Sequence, residues 1–149
     1  MEKVLVTGAT GYIALHCVQQ LLDQGYAVNG SIRSPERKNE VIEALKNSGT
    51  STENLNLFVF DLTNDEGWDD GMEGCDYLLH VASPLALENH TEDYFVKPAV
   101  AGAKRALKFA KKHGVKKVVL TSSVAAIFET GEEKVFYDES DWSDPDNPN

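Results

Sequence analysis

The stretch VTGATGYIA, at residues 6–14, limits what this chain can fold into more than any other. It follows a short apolar run, VLV at residues 4–6, which reads as a buried strand. It opens a segment of helical spacing over residues 11–24, with Ile13, Cys17 and Leu21 on one face and Val18 and Leu22 beside it. Gly25 suits the C-terminal cap of that helix. A glycine-rich turn between a strand and a helix is the setting in which backbone wraps the phosphates of a dinucleotide. Gly8 permits the tight turn, Gly11 lets backbone approach a pyrophosphate, and Ala14 keeps helix close to strand. The helix N-terminus adds free N–H groups and the positive end of its dipole.

Strand-like and helix-like segments continue to alternate. Residues 26–33 and 55–60 read as the second and third strands, and 35–47 as the helix between them, with Pro35 in its first turn and Gly49 beyond its end. A short acidic crossover at 64–72, predicted helical, leads to a fourth strand at 77–81. A long helix follows at 91–112, where Val96, Val100, Ala103, Leu107 and Ala110 recur at helical spacing. Pro98 either kinks this helix or starts it. Residues 115–121 read as a fifth strand. The acidic tail after Phe128, with Pro145 and Pro148, reads as loop. Short buried strands separated by helices predict an α/β fold. The expected form is a Rossmann-type doubly wound parallel sheet with helices on both faces, cut off after about five strands. At 149 residues the chain is one domain or part of a larger one, with no internal repeat or linker.

Charge and composition exclude several functions. Lys plus Arg number 14 against 24 Asp plus Glu, a net charge of −10 that repels nucleic acid and anionic lipid. The longest apolar run, residues 124–128, falls far short of the ~20 residues a membrane span needs. MEKVLVTG enters the first strand directly, so no signal peptide is expected. Cys17 and Cys75 lie in apolar-patterned segments without metal-ligand spacing. No metal is expected, and the setting expected is reduced and cytoplasmic.

The spacing Gly-x-x-Gly-x-x-Ala behind Thr7 resembles the extended short-chain dehydrogenase/reductase family, within the NAD-dependent epimerase/dehydratase superfamily. Three further segments resemble a narrower subgroup: HVASP at 80–84, KPAVAGAKRALKFAKKHGVKKVVLTSSVAAI at 97–127 and YDESDWSD at 137–144. That subgroup holds dihydroflavonol 4-reductase, cinnamoyl-CoA reductase and microbial ketone or aldehyde reductases. The resemblance runs through the whole chain in order. It implies that residues 1–149 are the N-terminal part of an NAD(P)-binding Rossmann domain, without the substrate-binding C-terminal region.

The residues at the end of the second strand bear on the cofactor. NAD-preferring sites usually place Asp or Glu there, to hold the ribose 2′-hydroxyl. Here the strand ends Gly30-Ser31-Ile32-Arg33, with Arg37 and Lys38 adding positive charge nearby. A guanidinium can pair bidentately with a 2′-phosphate, whereas a carboxylate would repel it. NADP(H) is therefore the expected cofactor, with NAD as the alternative. The resemblance assigns the 2′-phosphate to Arg33. It also implies a Lys near the position of Glu40, a role here open only to Lys38 or Arg37. Thr10, Tyr12 and Ile13 are expected to face the cofactor with Gly8 and Gly11. By resemblance Asp61 accepts from the adenine amino group and Leu62 lines the adenine slot; Asp61 as a helix cap is the alternative. Val81, Ala82 and Ser83 lie at the carboxyl edge of the sheet, where ligands collect, and by resemblance their backbones face the nicotinamide-side ribose and pyrophosphate. His80 reads as a satisfied core residue.

By resemblance Ser123 polarises the substrate carbonyl, and Thr121 and Ser122 line the cofactor site. A hydroxyl suits the first role because it donates to an oxygen that gains charge as hydride arrives. The family's proton donor is Tyr in a YxxxK pair. Tyr94 and Lys97 are three apart and precede the wrong strand. Tyr137 has Asp141 four residues on, and Tyr12, Tyr26 and Tyr77 fall in the core pattern. The pair is expected after residue 149, so the chain alone is expected to be inactive. The expected function is NADP(H)-dependent reduction of a ketone or aldehyde to an alcohol. The alternatives are a nucleotide-sugar epimerase or dehydratase using NAD, and a non-catalytic NADP-binding module. The expected partners are a small carbonyl substrate and a second copy of the chain meeting through the long helix. That helix's apolar pattern is equally explained by burial against the sheet.

Overall fold

The computed structural model describes residues 1–84, 92–128 and 134–144. Five strands form one parallel sheet: β1 (Lys3–Val6), β2 (Ala27–Ile32), β3 (Leu55–Val59), β4 (Tyr77–His80) and β5 (Lys117–Leu120), in the order β3-β2-β1-β4-β5. The chain winds outward from β1 to β3, then crosses to the other side of β1 for β4 and β5. The order reverses between β1 and β4, where ligands of such sheets bind.

Helices cover both faces. α1 (Tyr12–Asp23) and α2 (Lys38–Asn47) pack on one, where Val18, Val41 and Leu45 meet Val4, Val6, Val28 and Ile32. α3 (Trp68–Met72) and α4 (Glu92–Lys112) cover the other, where Trp68, Met72, Ala106, Phe109 and Ala110 meet Leu5 and Leu78. Val4 and Val6 face one core and Leu5 the other, the period of two that a strand buried on both sides requires. Cys75 is buried in the second core, where loss of hydration pushes its thiol up to about 11. Cys17 is half-buried, and both thiols are free.

Several elements differ from the sequence reading. The second helix begins as a 3-10 turn, Pro35–Arg37, and α2 starts only at Lys38. The crossover at 64–72 is helical only over α3. α4 runs through Pro98 instead of starting there, and Thr91 lies outside the described residues. The buried stripe of α4 is Gly102, Ala106, Phe109 and Ala110, while Val96, Val100 and Leu107 are exposed. Ala110 belongs to both patterns, and the other positions show the helix rotated from the face expected. In α1 the buried residues are Ala14 and Val18, while Ile13 is exposed. A one-turn helix, α5 (Ala125–Phe128), follows β5 at positions where the sequence reading assigned no element, and residues 134–144 contain no helix or strand, as read. Pro145 and Pro148 lie outside the described residues.

Candidate functional site

The site begins with the turn after β1. Gly8 has φ +72°, and a Cβ there would lie 3.0 Å from the Cβ of Ala82, so the position needs glycine on two counts. The Gly8 N–H donates to Ser31 Oγ (2.8 Å) and the Ala9 N–H to the Ser31 carbonyl (2.8 Å). Val6 pairs with Gly30 across β1 and β2, and this register sets Ser31 beside the turn. Thr7 ties the turn to the other wall: its hydroxyl accepts the N–H groups of Val81 and Ala82, both at 3.0 Å.

α1 starts after this turn with Gly11 as its N-cap and no capping side chain. Its first-turn N–H groups have no intrahelical acceptor, and no acidic residue occupies that turn. Tyr12, Ile13 and Ala14 line a cavity of about 570 Å³. Gly8, Thr10, Gly11, Arg33, Asp61, Leu62, Val81, Ala82 and Ser83 line it too, together with Ser31, Ile32, Arg37 and Phe60. Tyr12, read above as part of the core pattern, is instead 80% exposed. It projects from the first turn of α1 at the mouth of the cavity.

Arg33 and Asp61 face each other at one end, Nε to Oδ2 3.9 Å. The Asp61 Oδ1 accepts from both the backbone N–H (2.8 Å) and hydroxyl (2.7 Å) of Thr63. Burial acts to raise the Asp61 pKa, but those hydrogen bonds and the charges of Arg33 and Arg105 outweigh it. The carboxyl is held below its usual range. The Asp61 carbonyl accepts from Trp68 Nε1 (2.9 Å), and the Leu62 carbonyl from Arg105 Nη1. The aromatic core and α4 therefore fix the segment from below. His80 is buried and hydrogen-bonded to Thr7, as a satisfied core histidine would be.

The remaining expected residues lie elsewhere. Lys38, the first residue of α2, is not among those lining the cavity; Arg37 is. Ser122 and Ser123 border a second cavity, of about 520 Å³, with Val124, Ile127, Asp138, Glu139 and Trp142. Thr121 lines neither, and its N–H donates to the His80 carbonyl (3.0 Å). His80 pairs in register with Leu120, so Ser83 and Ser123, three residues further along each strand, leave the same carboxyl edge. Ser123 Oγ accepts the Ala125 N–H at 3.2 Å, which leaves its own proton for another acceptor.

Sequence reasoning missed Thr7, Ser31, Ile32 and Phe60. The β1–β2 register would have pointed to Ser31, but pairing partners follow from the fold, not from local pattern. Among the described residues, no group of three or more His, Cys, Asp or Glu is placed to hold a metal, and no helix is long and apolar enough to cross a membrane.

Residues 4–149 match the model of the NAD dependent epimerase/dehydratase family. The chain is 37% identical over 145 residues to dihydroflavonol 4-reductase of Solanum lycopersicum, covering 96% of this chain and 38% of that protein. It is 39% identical over 147 residues to vestitone reductase of Medicago sativa, covering 97% and 45%. The structure of yeast methylglyoxal/isovaleraldehyde reductase complexed with NADPH superimposes with a TM-score of 0.82 at 32% identity, covering 97% of this chain and 44% of that one. The chain thus spans about two-fifths of the length of these relatives.

Proposed function

Because the chain belongs to the NAD dependent epimerase/dehydratase family, we propose that it binds NADP(H) in the larger cavity and serves the reduction of a ketone or aldehyde to an alcohol. The observation that carries this reading is the pairing of an uncapped, acid-free helix N-terminus with Arg33 in one cavity. The first favours a pyrophosphate and the second a 2′-phosphate. The yeast reductase, which binds NADPH, and the plant reductases support it.

The residues divide the work by position. The N–H groups at the start of α1 hold the pyrophosphate, and Gly11 lets it approach the backbone. Arg33 takes the 2′-phosphate, Asp61 the adenine amino group, and Leu62 the adenine face. Val81, Ala82 and Ser83 line the path toward the nicotinamide ribose. When bound, the cofactor supplies hydride to a carbonyl carbon. Ser123 donates its free O–H to the carbonyl oxygen, stabilising the charge that develops there. Ser122 borders the second cavity beside Ser123, and Thr121 precedes both, directly after β5. The exposed stripe Val96, Val100 and Leu107 on α4 supports a homodimer.

The test is a fluorescence titration with NADPH, followed by NADPH oxidation with a panel of ketones and aldehydes in the whole gene product. NADPH binding and carbonyl-dependent oxidation, lost in Ser123→Ala, are expected. Turnover of UDP- or dTDP-sugars with retained NAD would instead assign an epimerase or dehydratase. Nucleotide binding without any turnover would leave a binding module. The 149-residue chain alone is expected to bind NADPH weakly without reducing any member of the panel.

A further inference from the structure

Arg37 lines the same cavity as Arg33, but the chain already holds its guanidinium. Arg37 Nε donates to both carboxylate oxygens of Glu40, 3.1 Å each, and Nη2 donates to Oε2 at 2.8 Å. The pair is local and preset. Arg37 ends the 3-10 turn and Glu40 lies in the first turn of α2, three residues on, where side chains of a helical segment meet. Each partner favours the charged form of the other: the hydrogen bond to Glu40 raises the Arg37 pKa, and Arg37 lowers that of Glu40. Arg33 faces Asp61 at 3.9 Å. Both guanidiniums lining the cavity therefore have a carboxylate of the chain as counter-ion. A phosphate monoester arriving there wins Arg37 only by displacing Glu40, whose two oxygens offer the fork geometry a phosphate would use.

We propose that Glu40 is a specificity-determining residue, which withholds Arg37 from the ribose 2′-phosphate and so narrows the preference for NADPH over NADH. The inference rests on the reading of the cavity as a nicotinamide-dinucleotide site. It assigns discrimination in the wild type to Arg33, with Arg37 held in reserve. The pair is half-exposed on both sides, and exposed ion pairs stabilise a fold little. Replacing Glu40 therefore leaves the protein folded, and its effect is read in the ligand.

The experiment titrates the full chain with NADPH and with NADH, in the wild type, Glu40→Gln, Arg37→Ala and the double variant Arg37→Ala/Glu40→Gln. Thermal unfolding confirms that each is folded. Glu40→Gln is expected to tighten NADPH about two- to fivefold, the size of the exposed pair it releases, and to leave NADH unchanged. The double variant is expected to lose that gain. An unchanged NADPH/NADH ratio in Glu40→Gln overturns the proposal. So does a gain that persists in the double variant, which would make it simple relief of charge repulsion. Either result leaves the dinucleotide site standing if the wild type binds NADPH. A wild type that binds neither nucleotide overturns the site and this inference together.

Discussion

The Thr7 hydroxyl lies 3.0 Å from Nδ1 of His80, and it accepts the N–H groups of Val81 and Ala82. Those two bonds fill both lone pairs of the oxygen, so the Thr7 O–H must donate to Nδ1. The neutral ring therefore carries its proton on Nε2. Three hydrogen bonds at one oxygen join the turn after β1 to the segment after β4, the two sides of the cavity.

This hinge makes stability depend on pH. Burial holds the His80 pKa below its usual value. As the pH falls below about 6.5, the unfolded chain takes up a proton at His80 that the folded chain refuses. The stability contributed by the neutral ring is complete above that value and drains away as pH falls toward the lowered folded pKa. The urea midpoint should therefore drop as the pH falls through about 6.5, and His80→Gln should flatten that part of the curve. Equal slopes in the two proteins would remove His80 as the cause. Thr7→Val, which leaves buried polar groups without partners, should cost ~1–3 kcal/mol, while Thr7→Ser should be nearly neutral.

Gly8→Ala should damage both the fold and the ligand site. The left-handed backbone alone costs an alanine ~1–2 kcal/mol, and the new Cβ would press on Ala82. Chemical denaturation and NADPH titration of the same variant check the two effects. A variant with wild-type NADPH affinity would argue against phosphates docking on this turn.

Arg33→Ala should weaken NADPH by ~10–100-fold, the range for hydrogen bonds to charged groups, and should barely change NADH. Its side chain is 67% exposed, so no loss of stability should accompany the change. The NADPH/NADH affinity ratio decides it, and an unaltered ratio would move the 2′-phosphate away from Arg33.

Trp68 anchors the Asp61 end of the cavity from the core. It is fully buried, its ring lies 4.6 Å from Phe60 and 5.7 Å from Phe109, and Nε1 holds the Asp61 carbonyl. Trp68→Ala should destabilise the chain by ~3–5 kcal/mol. Trp68→Phe keeps most of the packing and loses the hydrogen bond, so it should stay folded and bind NADPH more weakly. Thermal unfolding and titration together separate the packing role from the positioning role.

The sequence by itself determined the strand–helix alternation, the glycine turn and the cation at the end of β2, because each is a local pattern. Short apolar runs, helical spacing, a left-handed glycine and a strand-end arginine all act within a few residues of themselves. It did not determine which face of α4 is buried, since apolar side chains lie on more than one side. Contact with Leu78 and Trp68 chose Ala106, Phe109 and Ala110 over Val96, Val100 and Leu107. Nor could it show that Ser31 secures the turn through two N–H groups, that Thr7 hinges on His80, or that Arg37 is bound to Glu40 while Lys38 stands apart from the cavity. The first two arise from strand register, which joins residues 22 to 75 positions apart. The last depends on where the 3-10 turn ends: Arg37 closes it three residues before Glu40, and Lys38 already belongs to α2. Local pattern specifies the elements, while the packing of one element on another decides which side chains converge.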